Sequence, residues 1–192
     1  MAKQSFKGGT LLAPLPPAMV SCGDMENSNI ITIGWTGILN STPPVTYISV
    51  RPSRHSHKII KESGEFVINL TSEELARAAD YCGIFTGAKV DKFEKCGLTK
   101  EACENLSCPM IAESPVSIEC RVRDVFTLGT HDVFMADILS VNVRDEFVDE
   151  SGKIRMDKAN LAAYCHGEYF ALGKKLGSFG FSAAKKKKRR KK

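Results

Sequence analysis

The chain has 192 residues, of which 43% are apolar and 26% are charged, a composition typical of a globular protein with its own core. No apolar run reaches the roughly 18 residues that a transmembrane helix needs, and prolines interrupt the N-terminal segment before a signal peptide could form. We therefore expect a cytoplasmic protein without membrane contact.

The net charge of +5 is concentrated at the C-terminus, where residues 185–192 are all Lys or Arg. Without these eight, 19 of the 27 basic residues remain, compared with 22 acidic residues. The rest of the chain therefore has a net charge of −3. Because a run of like charges repels itself, the sequence predicts one domain at 1–182 and a disordered basic tail at 183–192. Nucleic-acid binding is not expected, since the body has no basic stripe interleaved with aromatic residues.

In chain order, alternating or β-branched apolar patterns predict short strands at 18–22, 30–35, 45–51, 65–70, 116–125 and 130–143. Helices are predicted at 53–63 and from Thr71 or Ser72 to Gly83, a loop at 40–44, a small hairpin at 147–154 and a weakly structured end. The strands follow one another without regular helical crossovers. This order predicts a mostly antiparallel sheet, either a partly open or a closed Greek-key barrel with helices packed on it.

Basic and hydroxyl side chains cluster where a predicted strand ends at Arg51 and a helix begins at Ser53. Unpaired N–H groups at a helix start hold anions well, and Arg54, Ser56 and Lys58 add further donors. The cluster suits a monophosphate. The alternative is that Ser53 caps the helix and the other side chains form a solvated basic face.

A glycine inside the preceding predicted strand, Gly34, stands beside the only tryptophan, Trp35. Glycine within a strand marks a bulge or a close approach of the backbone to a ligand. A flat heteroaromatic ring is one candidate ligand. The alternative is a core tryptophan beside a bulge.

Several common sites are missing from the sequence. It contains no GxGxxG, P-loop, GxSxG or HExxH motif. Seven scattered cysteines include no CxxC pair, so we expect reduced thiols and no metal site. His55 and His57 would diverge by about 200° in a helix, which makes them poor joint metal ligands.

The segment NIITIGWTGILNSTPPVTYISVRPSRHSHKIIKESGEFVINL resembles the flavin reductase-like, FMN-binding split-barrel family, most closely its flavoredoxin branch. The segments DYCGIFTGAKVDKFEKCGLT, SPVSIECRV, LGTHDVFMADILSV and YFALGKKLGSFGFS continue the resemblance over residues 10–182. The resemblance implies a mainly β fold with inserted helices, a six-stranded antiparallel Greek-key split barrel. It also implies a homodimer with one FMN per subunit near the dimer interface.

The resemblance assigns cofactor contacts position by position. The flavin ring would lie against Gly34, Trp35 and Thr36, and the ribityl chain and phosphate would lie near Asn40, Ser41 and Thr42. The groove would continue along Ser49, Val50 and Arg51. The phosphate would contact Arg54, Ser56, His57, Lys58 and the further candidate Lys92. His131 would face the ring or a nicotinamide, or be an ordinary barrel histidine. Tyr169 and Phe170 would reach the partner subunit's site.

The implied function is an FMN-dependent oxidoreductase that moves electrons between NAD(P)H, or an iron–sulfur protein, and the flavin. Because the flavin carries the redox chemistry, no side chain is required as acid, base or nucleophile, and no catalytic residue is assigned. One alternative is a non-enzymatic FMN-binding electron carrier or flavin store. Another is a nucleic-acid-associated protein with a structural barrel and a basic tail.

Overall fold

A seven-stranded antiparallel sheet forms the body of the protein, in the strand order β2-β1-β5-β8-β9-β4-β3. The structure is a computed structural model that describes residues 1–183. The strands are β1 (Ala18–Gly23), β2 (Ser28–Ile33), β3 (Thr36–Ser41), β4 (Pro44–Val50), β5 (Glu65–Asn69), β6 (Lys100–Glu101), β7 (Met110–Ile111), β8 (Val116–Thr127), β9 (Asp132–Val143), β10 (Ala162–Cys165) and β11 (Glu168–Ala171).

The main sheet has one strand more than the six expected, and the expected loop at 40–44 was wrong. Instead, β3 and β4 form a tight hairpin in which Ser41 pairs with Pro44 across a turn of two residues. Proline lacks the N–H that a ladder needs, but it is tolerated as the first residue of a strand, where Pro44 stands. The two prolines therefore turn the chain without ending the sheet.

The inward side chains of the main sheet alternate with outward polar ones and pack into an apolar core. Ile33, Ile48, Phe66 and Phe134 are buried together in this core. The Ser49 N–H donates to the Trp35 carbonyl oxygen at 2.9 Å, which extends the β3–β4 pairing by one residue, and the end of β2 also contacts β4. This meeting of β2 and β4 shapes one side of the site described below.

In residues 1–183, three α-helices lie outside the sheet: α1 (His55–Ser63), α2 (Ala76–Ile84) and α3 (Lys92–Cys96). Two short 3-10 helices follow at Asp145–Phe147 and Met156–Lys158. The expected end of α1 is confirmed, because Gly64 follows it in the left-handed conformation (φ 69°) and donates its N–H to the Ile60 carbonyl. The longest helices in the described part have nine residues, and none there could cross a membrane.

The helix expected from Thr71 or Ser72 begins later, at Ala76, and its stop at Gly83 is off by one residue. The Thr71 hydroxyl donates to the Pro17 carbonyl, and Ser72 forms a bridge with Leu161. The Thr71 hydroxyl is therefore unavailable as a cap, and the helix starts after Leu75 without a side-chain cap. Tertiary pairing has overridden the local capping signal.

The C-terminal region is more ordered than expected, because β10 and β11 form a hairpin. His166 and Gly167 make its turn with positive φ values of 51° and 96°. Residue Leu15 pairs with Tyr164 through two backbone hydrogen bonds of 2.8 Å. The N-terminal lead-in is thus fastened to the C-terminal hairpin. The predicted basic tail lies outside the described residues, apart from residue 183.

Candidate functional site

Two adjoining cavities lie where β2, β4, α1, α2 and the C-terminal hairpin meet. The wide cavity has a volume of about 360 Å³ and the narrow cleft about 80 Å³. Ile31 and Arg54 line both, so the two spaces form one continuous recess. Its volume is within the usual range of small-molecule sites, about 300–1,000 Å³.

Six of the predicted cofactor contacts line the wide cavity: Gly34, Trp35, Ser49, Val50, Arg51 and Arg54. Trp35 is 37% exposed, which excludes the alternative of a core tryptophan. Its ring lies against that of His131, with centroids 4.7 Å apart and planes tilted by 38°. His131 therefore belongs to the cavity wall as well.

The charge of His131 is set by its surroundings. Partial burial and the nearby Arg51 guanidinium lower the pKa of His131 below its usual value. The imidazole is therefore neutral at pH 7. A neutral ring can lie against a flat ligand without placing a full positive charge on it.

The far wall of the wide cavity comes from α2 and the C-terminal hairpin, and the sequence analysis largely missed it. Asp80, Gly83 and Tyr164 line it, and so does Tyr169 of the same chain. Burial, reinforced by the Asp80 carboxylate, raises the pKa of Tyr169 to about 12, so its hydroxyl stays protonated. No local motif marks these residues, because long-range pairing alone brings them to the cavity.

The first turn of α1 forms one wall of the narrow cleft, to which Ser53, Arg54, His55 and Ser56 contribute. Arg54 is the N-cap residue and no side chain caps the helix, so the alternative of a Ser53 cap does not hold. In the described part, the N–H groups of His55 and Ser56 have no acceptor. They are free to bind an anion in the cleft.

The opposite wall of the cleft contains a buried ammonium group. Lys92 is only 4% exposed, and its Nζ donates to the carbonyl oxygens of Ile30 at 2.5 Å and Cys82 at 2.8 Å. An ammonium has three donors, so one remains. Within residues 1–183, no carboxylate pairs with Lys92. Burial accordingly lowers the pKa of Lys92, and an anion in the cleft would offset that cost.

Asn29 and Gly87 complete the narrow cleft. The Asn29 side-chain amide donates to the Ser56 hydroxyl at 2.7 Å, and Ser56 is 1% exposed. A Cβ atom on Gly87 would come within 2.0 Å of the Asn29 Oδ1 atom. The segment after α2 can therefore approach Asn29 only because residue 87 is glycine.

The described chain does not bring the remaining predicted site residues to either cavity; these are Thr36, Asn40, Ser41, Thr42, His57 and Lys58. His57 points into the protein and bonds the Asp132 carboxylate at 2.8 Å, whereas Lys58 is exposed and 3.7 Å from Glu62. Successive helix residues are about 100° apart, so Ser56 faces the cleft while its two successors point elsewhere.

The β3–β4 hairpin explains the other four positions. The Thr36 hydroxyl donates to the Tyr47 carbonyl, and the Asn40 amide donates to the Pro43 carbonyl. Residues 40–42 are exposed at the hairpin tip. Phe170 is also exposed and lies outside both cavities.

Comparison with known proteins gives a family match, a similar solved structure and two sequence relatives. Residues 11–173 match the family described as "Flavin reductase like domain". The structure is similar to that of flavoredoxin of Desulfovibrio vulgaris (Miyazaki F), with 32% identity, a TM-score of 0.87, and coverage of 96% of this chain and 100% of that one.

Two sequence relatives extend the comparison. An uncharacterized protein of Archaeoglobus fulgidus is 34% identical over 138 residues, which are 72% of this chain and 77% of the relative. The protein named FMN reductase (NADH) RutF of Stutzerimonas stutzeri is 24% identical over 103 residues, which are 54% of this chain and 57% of that protein.

Proposed function

This chain belongs to the flavin reductase like domain family, and we propose that it is an oxidoreductase that binds FMN in the joined recess. The observation that carries the proposal is the buried Lys92 ammonium. In the described part it stands without an anionic partner, in the narrow cleft of a recess whose wide cavity presents the exposed Trp35. A ligand with a phosphate at one end and a flat ring at the other suits both ends.

The residues of the recess fit the two parts of FMN. The narrow cleft offers a phosphate the free N–H groups of His55 and Ser56, the Arg54 guanidinium and the Lys92 ammonium. The wide cavity offers a ring apolar walls and the Trp35 side chain. The free hydrogen-bond donors of the narrow cleft therefore match the phosphate, which carries the charge of FMN.

When bound, FMN supplies the redox chemistry, and the chain supplies binding, orientation and electrostatics. Arg54 lines both cavities and therefore lies where they meet. In the wide cavity, the His131 imidazole is neutral at pH 7 and the Tyr169 hydroxyl is protonated. We therefore assign no catalytic residue, and we propose NAD(P)H or an iron–sulfur protein as the electron partner.

We propose further that the protein acts as a homodimer. Large apolar side chains are exposed on β3, at Ile38 and Leu39, and at the end of the β8–β9 hairpin, at Phe126 and Leu128. Apolar surface exposed on one element in this way is typical of protein interfaces. A second copy of the chain would cover it.

One observation favours a second candidate, a non-enzymatic FMN-binding electron carrier. Trp35 lies at the mouth of the wide cavity and is 37% exposed. A bound ring beside it would be near the surface, where a protein partner can exchange electrons directly. The two candidates share one site and differ in whether NAD(P)H reduces the bound flavin in a steady state.

An absorbance experiment tests both candidates. We expect the purified protein, or the protein after addition of FMN, to show the flavin spectrum. Anaerobic addition of NADH and NADPH in separate samples should then bleach it if the protein is a reductase. A protein that shows no flavin spectrum and does not bind added FMN would refute the proposal.

Substitutions test which residues hold the phosphate. The double change Arg54→Ala with Ser56→Ala should weaken FMN binding far more than riboflavin binding, because riboflavin lacks the phosphate. Lys58→Ala is the matched control, since Lys58 lies on the same helix but is exposed to solvent. Equal losses for both flavins would show that this end of the recess does not hold the phosphate.

A further inference from the structure

Two cysteines from different helices lie together beside the narrow cleft. Cys82 on α2 is 1% exposed and packs in an apolar cluster with Met19, Ile30 and Phe93. Cys96 is the last residue of α3, is half-buried, and packs against the same cluster. Helices α2 and α3 contact each other, so both thiols lie at the junction of these two helices.

The thiol pair is joined to the cleft through Lys92. The Cys82 carbonyl oxygen accepts from Lys92 Nζ at 2.8 Å, and the Cys82 residue lines the cleft. Cys96 lies four residues after Lys92, one helical turn along the same face of α3. A change in the distance between Cys82 and Cys96 therefore moves the Cys82 carbonyl and helix α3, which together position the Lys92 ammonium.

We propose that Cys82 and Cys96 form a reversible disulfide that lowers the affinity of the narrow cleft for a phosphate. The effect on FMN rests on the proposed function, whereas formation of the bond does not. The cysteines are free thiols in the structure, which thus shows the reduced form. Bond formation draws the two sulfur atoms to about 2.05 Å and pulls the last turn of α2 toward α3.

The oxidant that we propose is a small disulfide such as oxidised glutathione. Cys96, the more exposed thiol, loses its proton and attacks one sulfur of the oxidant, which forms a mixed disulfide and releases one glutathione. The Cys82 thiolate then attacks the Cys96 sulfur and releases the second glutathione. The protein loses two protons and two electrons, and one oxidant molecule becomes two thiols.

The surroundings of the pair set its reactivity. Burial raises the pKa of Cys82 to about 12 and also raises the pKa of Cys96, while the Lys92 ammonium opposes both shifts. The attack is therefore slow at neutral pH and faster in mildly alkaline buffer, because the thiolate is the nucleophile.

The test incubates the full-length protein with oxidised glutathione and maps the product by mass spectrometry under non-reducing conditions. We expect the loss of two hydrogen atoms from the intact mass and a linked peptide containing Cys82 and Cys96, both reversed by a dithiol reductant. Neither measurement needs flavin, so failure of the disulfide to form is distinguishable from failure of the proposed function. A linkage at other cysteines, or no linkage, would overturn the proposal.

The effect on the cleft is measured as the Kd for FMN and riboflavin in the reduced and oxidised proteins. We expect the FMN value to rise about fivefold on oxidation, because the Lys92 bond to the phosphate is strained, while the riboflavin value stays constant. An FMN Kd that does not change on oxidation would overturn the proposal that the disulfide lowers the affinity of the narrow cleft for a phosphate.

Two variants separate this pair from the other thiols. Cys96→Ser should fold, since the residue is half-buried, and its FMN Kd should no longer respond to the oxidant. Cys103→Ser is the matched control, because Cys103 is equally half-buried but packs in a different cluster with Cys108. It should keep both the Cys82–Cys96 linkage and the response; loss of either would count against the proposal.

Discussion

Replacing Lys92 by methionine isolates the contribution of the buried ammonium to phosphate binding. Methionine keeps an unbranched apolar side chain in the space between α2 and β2 and removes the charge. In the structure, two of the three ammonium donors are used by the Ile30 and Cys82 carbonyls. A single donor is therefore left for the ligand.

One charge-assisted hydrogen bond is worth about 1.5–3 kcal/mol, which corresponds to a rise of about 10- to 150-fold in the Kd for FMN. Riboflavin should lose almost nothing, since it has no phosphate for the ammonium to meet. Isothermal titration or quenching of flavin fluorescence gives both constants on the same preparation. Because both ligands need the folded protein, partial unfolding of the variant would weaken both equally.

The matched control for this prediction is Lys95→Met. Lys95 lies on the same helix, three residues further on, but is exposed and lies outside the narrow cleft. It should leave both constants unchanged. A Lys92→Met protein that binds FMN as tightly as the parent would refute the assignment of the cleft to the phosphate.

Three further changes have defined outcomes. Gly87→Ala places a Cβ against Asn29 and should destabilise the fold by about 1–3 kcal/mol in urea titrations; an unchanged stability would show that the segment moves freely. Asp132→Ala leaves the buried His57 ring without its hydrogen-bond partner and should lower the free energy of unfolding by about 1–3 kcal/mol, a loss that urea titration at neutral pH measures. Burial raises the pKa of the Cys22 thiol to about 11, above its value in the unfolded chain. The stability that depends on the protonated thiol is therefore complete below about pH 9 and is lost as the pH rises through about 11. In reducing buffer, Cys22→Ala should thus flatten the alkaline slope of unfolding free energy by about 1.4 kcal/mol per pH unit, and an unaltered slope would contradict it.

Strand patterns predicted most of the sheet because buried and exposed residues alternate along it. The prediction failed at Pro44, where a residue that usually ends strands begins one. It failed again at Thr71, whose hydroxyl bonds Pro17 instead of capping a helix. At Thr71, a contact distant in sequence decided the outcome, and local propensity cannot report such a contact. At Pro44, the cause is a tight hairpin with Ser41, in which proline stands at the first position of the strand.

The site divides in the same way. The backbone around Gly34 and the turn at Arg54 were predictable, since each carries a local signature of glycine in a strand or of basic residues at a helix start. Family resemblance was needed to single out Lys92, because a lone lysine in a short helix has no distinctive pattern. Asp80 and Tyr164 were missed altogether, since only the folded topology brings them to the wide cavity.

The pairing of Leu15 with Tyr164 has a consequence for the order of events during biosynthesis. Both residues line the wide cavity, and 149 positions separate them along the polypeptide. The ribosome must therefore release nearly the whole domain before the recess can close. At about 5–20 residues per second, the N-terminal lead-in waits on the order of ten seconds for its partner. We expect nascent chains to remain colourless and the finished protein to acquire its ligand after translation, so cellular flavin supply would limit the yield of loaded protein without limiting its synthesis.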